Sequence, residues 1–182
     1  MTLSVEERYQ AEIKQSDIDH HTPTAGAMTG HIVANLAVLI NKLQQAKWYV
    51  KGPNRFALQS RFGDLLTNAQ RQLDALGTQL LAEGEVSPST TAAFSEYSML
   101  TEAGQNKYQT ADWLVDNFIH DFDTSNLFVT RAIKLADKED RPALAKFLVE
   151  LLNENQRAIM DLQAYLGREA RSGLDEDDDE ED

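Results

Sequence analysis

Apolar residues recur every three or four positions through two long stretches in the first half of the chain. Between residues 25 and 50 these positions are Ile32, Leu36, Leu39, Ile40, Leu43 and Ala46. Between residues 53 and 82 they are Leu58, Phe62, Leu65, Leu66, Ala69, Leu73, Leu76 and Leu80. This spacing puts the apolar side chains on one face of a helix, whereas strands would alternate. The pattern therefore predicts two long amphipathic helices.

The second half of the chain repeats this pattern. A third long helix is predicted over residues 106–137, and a fourth begins at Pro142, whose missing N–H is no loss in a first turn. The connection between the second and third helices is long and carries a predicted short helix over residues 91–99, while the other two connections are tight. A long middle connection lets the third helix run parallel to the second, as in ferritin-like bundles. The predicted fold is all-α, a ferritin-like four-helix bundle.

An extra helix is predicted ahead of the bundle. Residues 4–7, Ser-Val-Glu-Glu, have the pattern of a capping box, and a narrow apolar stripe of Val5, Tyr9 and Ile13 follows. A helix ending near residue 15 is marginal when isolated, so we expect it to dock, pair or bind a partner. The predicted organisation is an N-terminal helix and linker (1–23), the bundle (24–170) and an acidic tail (171–182).

Composition narrows the class of protein. A 182-residue chain with 42% hydrophobic residues can form one core, and the absence of cysteine excludes disulfides and thiolate chemistry. We find no secretory signal and no apolar stretch of the ~18 residues needed to span a membrane, which predicts a cytoplasmic protein.

The net charge is −13, but the last eight residues are all acidic and the rest carries −5. That block predicts a disordered, solubilising tail; a DNA mimic or a metal-collecting segment is the alternative.

The junction of the first two long helices carries a recognisable motif. Residues 46–59 read Ala-Lys-Trp-Tyr-Val-Lys-Gly-Pro-Asn-Arg-Phe-Ala-Leu-Gln. They closely resemble this junction in Dps proteins, the miniferritins of starved bacteria, and the resemblance extends over residues 25–167. It implies a dodecameric shell that stores iron, oxidises ferrous ion at a site shared by two subunits and, in many members, binds DNA.

Most of the iron ligands of that family are replaced in this chain. The two histidine positions of the motif fall on Lys47 and Gln59, and the acidic position that follows falls on Gly63. Of the later carboxylate pair, Asp74 is retained and the second position is Thr78. Lysine is itself a cation and has no lone pair at neutral pH, and one aspartate does not make a ferrous site. We therefore predict that iron is a stored or transported ion and that none is tightly bound at the usual site. We also predict that Lys47 pairs with Asp74 across the dimer interface; the alternative is that Lys47 points to solvent.

Other residues carry the right donors for metal ions. Asp17, Asp19, His20 and His21 lie close together before the bundle, where they form either a zinc or ferrous site or a solvated linker. Four residues share one face of the third helix and offer a second, less favoured metal site, namely Asp112, Asp116, His120 and Asp123. The resemblance places Asp137, Glu139 and Asp140 near a threefold pore, where they would attract cations.

DNA binding is predicted through the N-terminal helix, with Arg8 and Lys14 as its cations, and avidity in the shell compensates for weak single contacts. DNA binding would make the protein nucleoid-associated.

The leading prediction is a Dps-like cage that sequesters iron and protects DNA under stress without an ordinary ferroxidase centre. One alternative is an active ferroxidase with a rearranged site that uses Asp74, and another is a helical partner-binding module that forms no cage.

Overall fold

A computed structural model describes residues 3–174, with the side chain of His20 excepted. All the regular secondary structure in this part of the chain is helical. The helices are α1 (Val5–His21), α2 (Ala25–Tyr49), α3 (Arg55–Ala82), α4 (Thr91–Tyr97), a 3₁₀ helix (Gly104–Tyr108), α5 (Ala111–Lys138) and α6 (Pro142–Tyr165). No helix among the described residues is both long and apolar enough to cross a membrane.

The predicted apolar faces of α2, α3, α5 and α6 meet in a single core. The rings of Phe62 on α3 and Phe118 on α5 lie 5.2 Å apart at its centre, and both side chains are fully buried. The largest fully buried aliphatic side chains surround them and come from all four helices: Ile32, Leu39, Leu43, Leu76, Leu80, Ile119, Leu144, Leu148, Ile159 and Leu162. Burial of these side chains, at about 1.5–3 kcal/mol each, is the main force that holds the bundle together.

The connection from α3 to α5 runs along α2 in the same direction as α2. Near its start, Pro88 lies 3.6 Å from the position that a Cβ would take on Gly30. Farther on, Gln45 donates a hydrogen bond to the Ala103 carbonyl, and the Lys107 ammonium lies over the Tyr49 ring near the end of α2. The connection thus returns the chain to the end at which α3 began. The third bundle helix therefore runs parallel to the second, which confirms the predicted single-crossover bundle.

Arg141 joins the elements at the opposite end of the bundle. Its guanidinium donates to Glu83 at 2.6 Å and Glu85 at 2.8 Å, and Glu139 lies 3.4 Å away. Glu139 also accepts a hydrogen bond from the Ala25 backbone N–H, at the start of α2. The end of α3, the start of the connection, the α5–α6 turn and the start of α2 are thereby tied together.

Two predicted helix boundaries were wrong. The helix α1 continues to His21 rather than ending near residue 15, because the first chain breaker is Pro23, which disfavours helical geometry at Thr22 (φ −134°, ψ 92°). The helix α5 begins at Ala111 rather than residue 106, because Thr110 is extended and its hydroxyl caps the Trp113 N–H.

Residues just beyond the predicted domain boundary at 170 contact the bundle. Residues 171–174 form a turn in which the Ser172 carbonyl accepts from Gln163 and Leu174 packs against the core. Contacts with the bundle are therefore found as far as Leu174. The remainder of the predicted acidic tail, residues 175–182, lies outside the described residues.

Candidate metal site and its substituted ligands

Lys47, Gln59 and Gly63 lie together where the last turn of α2 meets the first turns of α3. The Lys47 Nζ atom is 3.6 Å from the position that a Cβ would take on Gly63, so the lysine side chain lies over the glycine. Gln59 Nε2 donates a 3.1 Å hydrogen bond to the Lys47 carbonyl. Lys47 is half-buried, and a cation in the last turn of a helix is favoured by the helix dipole. Three substituted positions thus form one contact cluster.

Asp74 and Thr78 lie farther along α3, on its exposed surface. Asp74 is eleven residues beyond Gly63, which is roughly 16 Å along a helix at 1.5 Å per residue. Asp74 therefore cannot join Lys47 within one chain. A site that contains both residues requires a second copy.

The three clustered residues of one chain, Lys47, Gln59 and Gly63, offer ferrous iron no carboxylate or imidazole. Lys47 brings a positive charge to the cluster, and Gly63 has no side chain. The Gln59 amide nitrogen donates its hydrogen bond to the Lys47 backbone carbonyl. Iron sites need several carboxylates or imidazoles. Across the described residues, no group of three or more His, Cys, Asp or Glu side chains could hold a metal ion.

The second predicted metal cluster lies on α1. Asp17 and His21 share a helix face, but the His21 Nδ1 atom contacts the Asp17 carbonyl oxygen at 2.7 Å and must be the donor, since a carbonyl only accepts. Asp19 accepts a hydrogen bond from Gln15. The His20 side chain lies outside the described residues. The described groups thus make local helix contacts and do not converge on one point.

Arginines from the C-terminal segment pair with the acidic face of α5. Arg168 donates to Asp116, and Arg171 Nη1 lies 3.5 Å from Asp123. His120 Nε2 lies 3.7 Å from Asp116. These carboxylates hold residues 168–171 against α5, so Asp116 is already neutralised by a guanidinium.

The three acids predicted to line a pore have different surroundings. All three residues are exposed, but only Glu139 is held by neighbours, namely Arg141 and the Ala25 N–H. Asp140 adopts the left-handed conformation (φ 56°) that closes the α5–α6 turn. The Glu139 carboxylate is therefore engaged in the structure of this corner, which leaves the carboxylates of Asp137 and Asp140 for a passing cation.

The predicted DNA-binding cations do not form a basic face. Arg8 and Lys14 are both exposed on α1. Six positions at about 100° each put them roughly 120° apart around the helix. Glu6, Glu7 and Glu12 are exposed on the same helix. A charge-driven contact by one copy of α1 would therefore be weak.

Sequence reasoning missed a charged pair inside the bundle. Lys42 on α2 lies 2.7 Å and 2.9 Å from the two carboxylate oxygens of Asp121 on α5, and both side chains are at least nine-tenths buried. Burial raises the pKa of the Asp121 carboxyl above its usual value, against the opposing pull of the Lys42 ammonium. The available signal was that each residue interrupts an apolar face.

The helical bundle, with the cluster of Lys47, Gln59 and Gly63 at its α2–α3 junction, defines a ferritin-like helical protein. Residues 28–172 match the family model described as ferritin-like domain. The DNA protection during starvation protein of Listeria innocua is 30% identical over 76% of this chain and 88% of that protein. The crystal structure of Lactococcus lactis DpsB has a TM-score of 0.86 at 39% identity and covers 91% of this chain and 95% of that one. For L. lactis DpsA the TM-score is 0.88 at 35% identity, covering 93% and 99%. The chain belongs to the Dps family.

Proposed function

We propose that the chain assembles into a Dps-type cage of twelve copies that sequesters iron and protects DNA under stress, without an ordinary ferroxidase centre. The relatives named for DNA protection during starvation support the general role. The observation that carries the rest is the Lys47 ammonium lying over Gly63, with Gln59 bonded to the lysine carbonyl. These contacts support the proposal that the lysine cation replaces the iron ligands that the family resemblance implies at these positions.

Assembly and catalysis are tested separately. Light scattering after gel filtration should give a particle near twelve times the 20.4 kDa chain mass, and a monomer or dimer would contradict the cage. Ferrous oxidation by oxygen or peroxide should match a protein-free blank. A variant with all four ligands restored (Lys47→His, Gln59→His, Gly63→Asp and Thr78→Glu) should gain ferroxidase activity, because Asp74 would then have imidazole and carboxylate partners.

The same assay decides the alternative of a rearranged ferroxidase site. That alternative requires activity in the natural chain that Asp74→Asn removes. Our proposal requires that Asp74→Asn leaves ferrous oxidation by the natural chain at the level of the blank and abolishes the activity gained by the restored variant. Natural-chain activity above the blank that depends on Asp74 would overturn the proposal.

DNA binding is proposed to use α1. Support comes from the exposure of this helix, whose apolar stripe remains open to solvent: Val5 is 86% exposed, Tyr9 55% and Ile13 46%. Because a single copy is a poor polycation, binding should depend on the many copies of the cage and weaken steeply with salt. Deletion of residues 1–15 should abolish retardation of DNA at low salt, and retardation that survives would reject this role.

Iron entry is proposed to pass the exposed carboxylates of Asp137 and Asp140. Replacement of both by asparagine should slow ferric mineral formation inside the cage, because the local concentration of cations would fall. Glu139 is left intact in this test, since its contacts with Arg141 and Ala25 are structural. Unchanged uptake by an intact cage would reject the pore.

A further inference from the structure

The N-terminal helix touches the bundle through a side chain near its C-terminal end. Ser16 Oγ lies 3.1 Å from the hydroxyl of Tyr97, which belongs to the short helix α4 of the long connection. Both residues are half-buried, whereas nearly all other described side chains of α1 are exposed. This hydrogen bond therefore lies at the place where α1 meets the body.

Tyr97 is itself firmly held by α2. Its carbonyl accepts a 2.8 Å hydrogen bond from His31 Nδ1, and the two rings meet edge to face with centroids 5.8 Å apart. The next residues, Ser98 and Met99, both donate to the Asn35 side-chain oxygen, at 3.1 and 2.8 Å. Asn35 is 1% exposed, so this attachment belongs to the core. The hydroxyl of Tyr97 is thus presented to α1 from a rigid support.

The joint between α1 and α2 does not fix the direction of α1 by itself. Residues 22–24 connect the helices; Pro23 restricts one torsion, and Thr24 caps α2 through the Ala27 N–H. Proline fixes its own φ and restricts the residue before it, but these limits on two residues do not by themselves set the direction of a helix. Ser16 lies six residues before Thr22, or roughly 9 Å along the helix. A second contact at that distance from the joint restricts swinging of the helix.

We propose that Tyr97 anchors α1, so that the α3–α5 connection sets the direction in which the N-terminal helix projects from the bundle. Its consequence for DNA rests on the proposed function of α1: a helix held in one direction presents the same surface in every copy of a cage. The anchor itself is independent of any ligand. Most of the stability of a helix in a protein comes from its packing against the rest of the chain, so loss of the anchor should also loosen the backbone hydrogen bonds of α1.

Hydrogen–deuterium exchange of residues 5–21 in the assembled protein tests the anchor. Tyr97→Phe keeps the ring and the His31 contact and removes only the hydroxyl; Ser16→Ala removes the other partner. Each should raise the exchange rate of α1 about fivefold, the factor expected for one hydrogen bond worth about 1 kcal/mol net. The double variant should exchange no faster than the single ones, because both remove the same bond. Tyr108→Phe is the matched control, since Tyr108 lies in the same connection, is 78% exposed and should leave α1 unchanged.

Unchanged exchange in Tyr97→Phe, or effects of the two substitutions that add in full, would overturn the anchor. DNA retardation gives a separate result. If the natural protein does not bind DNA but the exchange pattern is as expected, the proposed role of α1 fails and the anchor stands. If deletion of residues 1–15 abolishes DNA binding but Tyr97→Phe leaves exchange unchanged, only the anchor fails.

Discussion

Lys42 and Asp121 are two opposite charges that the fold removes almost completely from water. The pair spans α2 and α5, with Nζ–O distances of 2.7 and 2.9 Å. Burial is the larger influence on Asp121 and raises its pKa, while Lys42 lowers it. Each residue is therefore tolerated in the core only because the other is present.

Removal of one partner should be costly. Lys42→Met leaves a buried carboxylate without its cation and should destabilise the protein by about 3–5 kcal/mol near neutral pH in denaturant unfolding. With a raised folded-state pKa, Asp121 favours the folded state most when it is protonated. The loss of unfolding free energy in Lys42→Met should therefore be greatest above the folded-state pKa of Asp121 and shrink as pH falls through it.

Two further variants make that experiment decisive. Adding Asp121→Leu to Lys42→Met should recover most of the lost stability, because no unpaired charge remains. Arg61→Met removes a cation from a surface pair with Asp161 that is 35% and 51% exposed, and should change stability by about 1 kcal/mol or less. Equal losses in Lys42→Met and Arg61→Met would show that the buried pair has no special role.

Residues of this kind mark the limit of what sequence patterns predict. Lys42 lies three residues after Leu39 and directly before Leu43. Asp121 lies three residues after Phe118 and directly before Phe122. Those neighbours show that both charges fall beside apolar faces. Which charge meets which depends on the packing of two helices far apart in sequence, and no local spacing encodes it.

At the scale of elements, periodicity predicted the bundle well because each long helix buries one continuous face. The first was predicted over residues 25–50 and is found at Ala25–Tyr49. The extension of α1 to His21 was missed because five of the six residues 16–21 are polar, so they carry no periodic apolar signal. The attachment of the connection to α2 through His31 and Asn35 was also unpredictable, since it joins residues distant in sequence.

The start of α1 should respond to acid. The Glu7 carboxylate accepts the Ser4 backbone N–H at 2.7 Å, and this hydrogen bond lowers the pKa of Glu7 below its usual value. A lowered folded-state pKa means that the cap contributes fully above the unfolded pKa and is lost as pH falls through the folded value. Amide exchange of the first turn of α1, corrected for intrinsic rates, should therefore increase at acid pH. Glu7→Gln should remove this pH dependence, and a natural chain that behaves like Glu7→Gln would contradict the cap.

At the scale of the whole molecule, the surface of one chain exposes large aromatic side chains at the α2–α3 turn. Trp48 is 67% exposed and Phe56 is 78% exposed beside the α2–α3 turn, next to the cluster formed by Lys47, Gln59 and Gly63. Large exposed aromatic side chains mark contact surfaces. We propose that a second copy covers this corner and brings its Asp74 to Lys47, so that a lysine–aspartate pair stands where the family binds iron.

A charge exchange tests this pairing. Lys47→Glu and Asp74→Lys should each place like charges together across the interface and lower the fraction of assembled particles on dilution, measured by light scattering. The double variant restores opposite charges and should recover assembly. Lys47 also favours the C-terminal end of α2, but that contribution is lost equally in Lys47→Glu and in the double variant, so their difference isolates the pair. A double variant that assembles no better than Lys47→Glu would show that the two residues do not meet, and the positive charge of Lys47 would then act within its own chain.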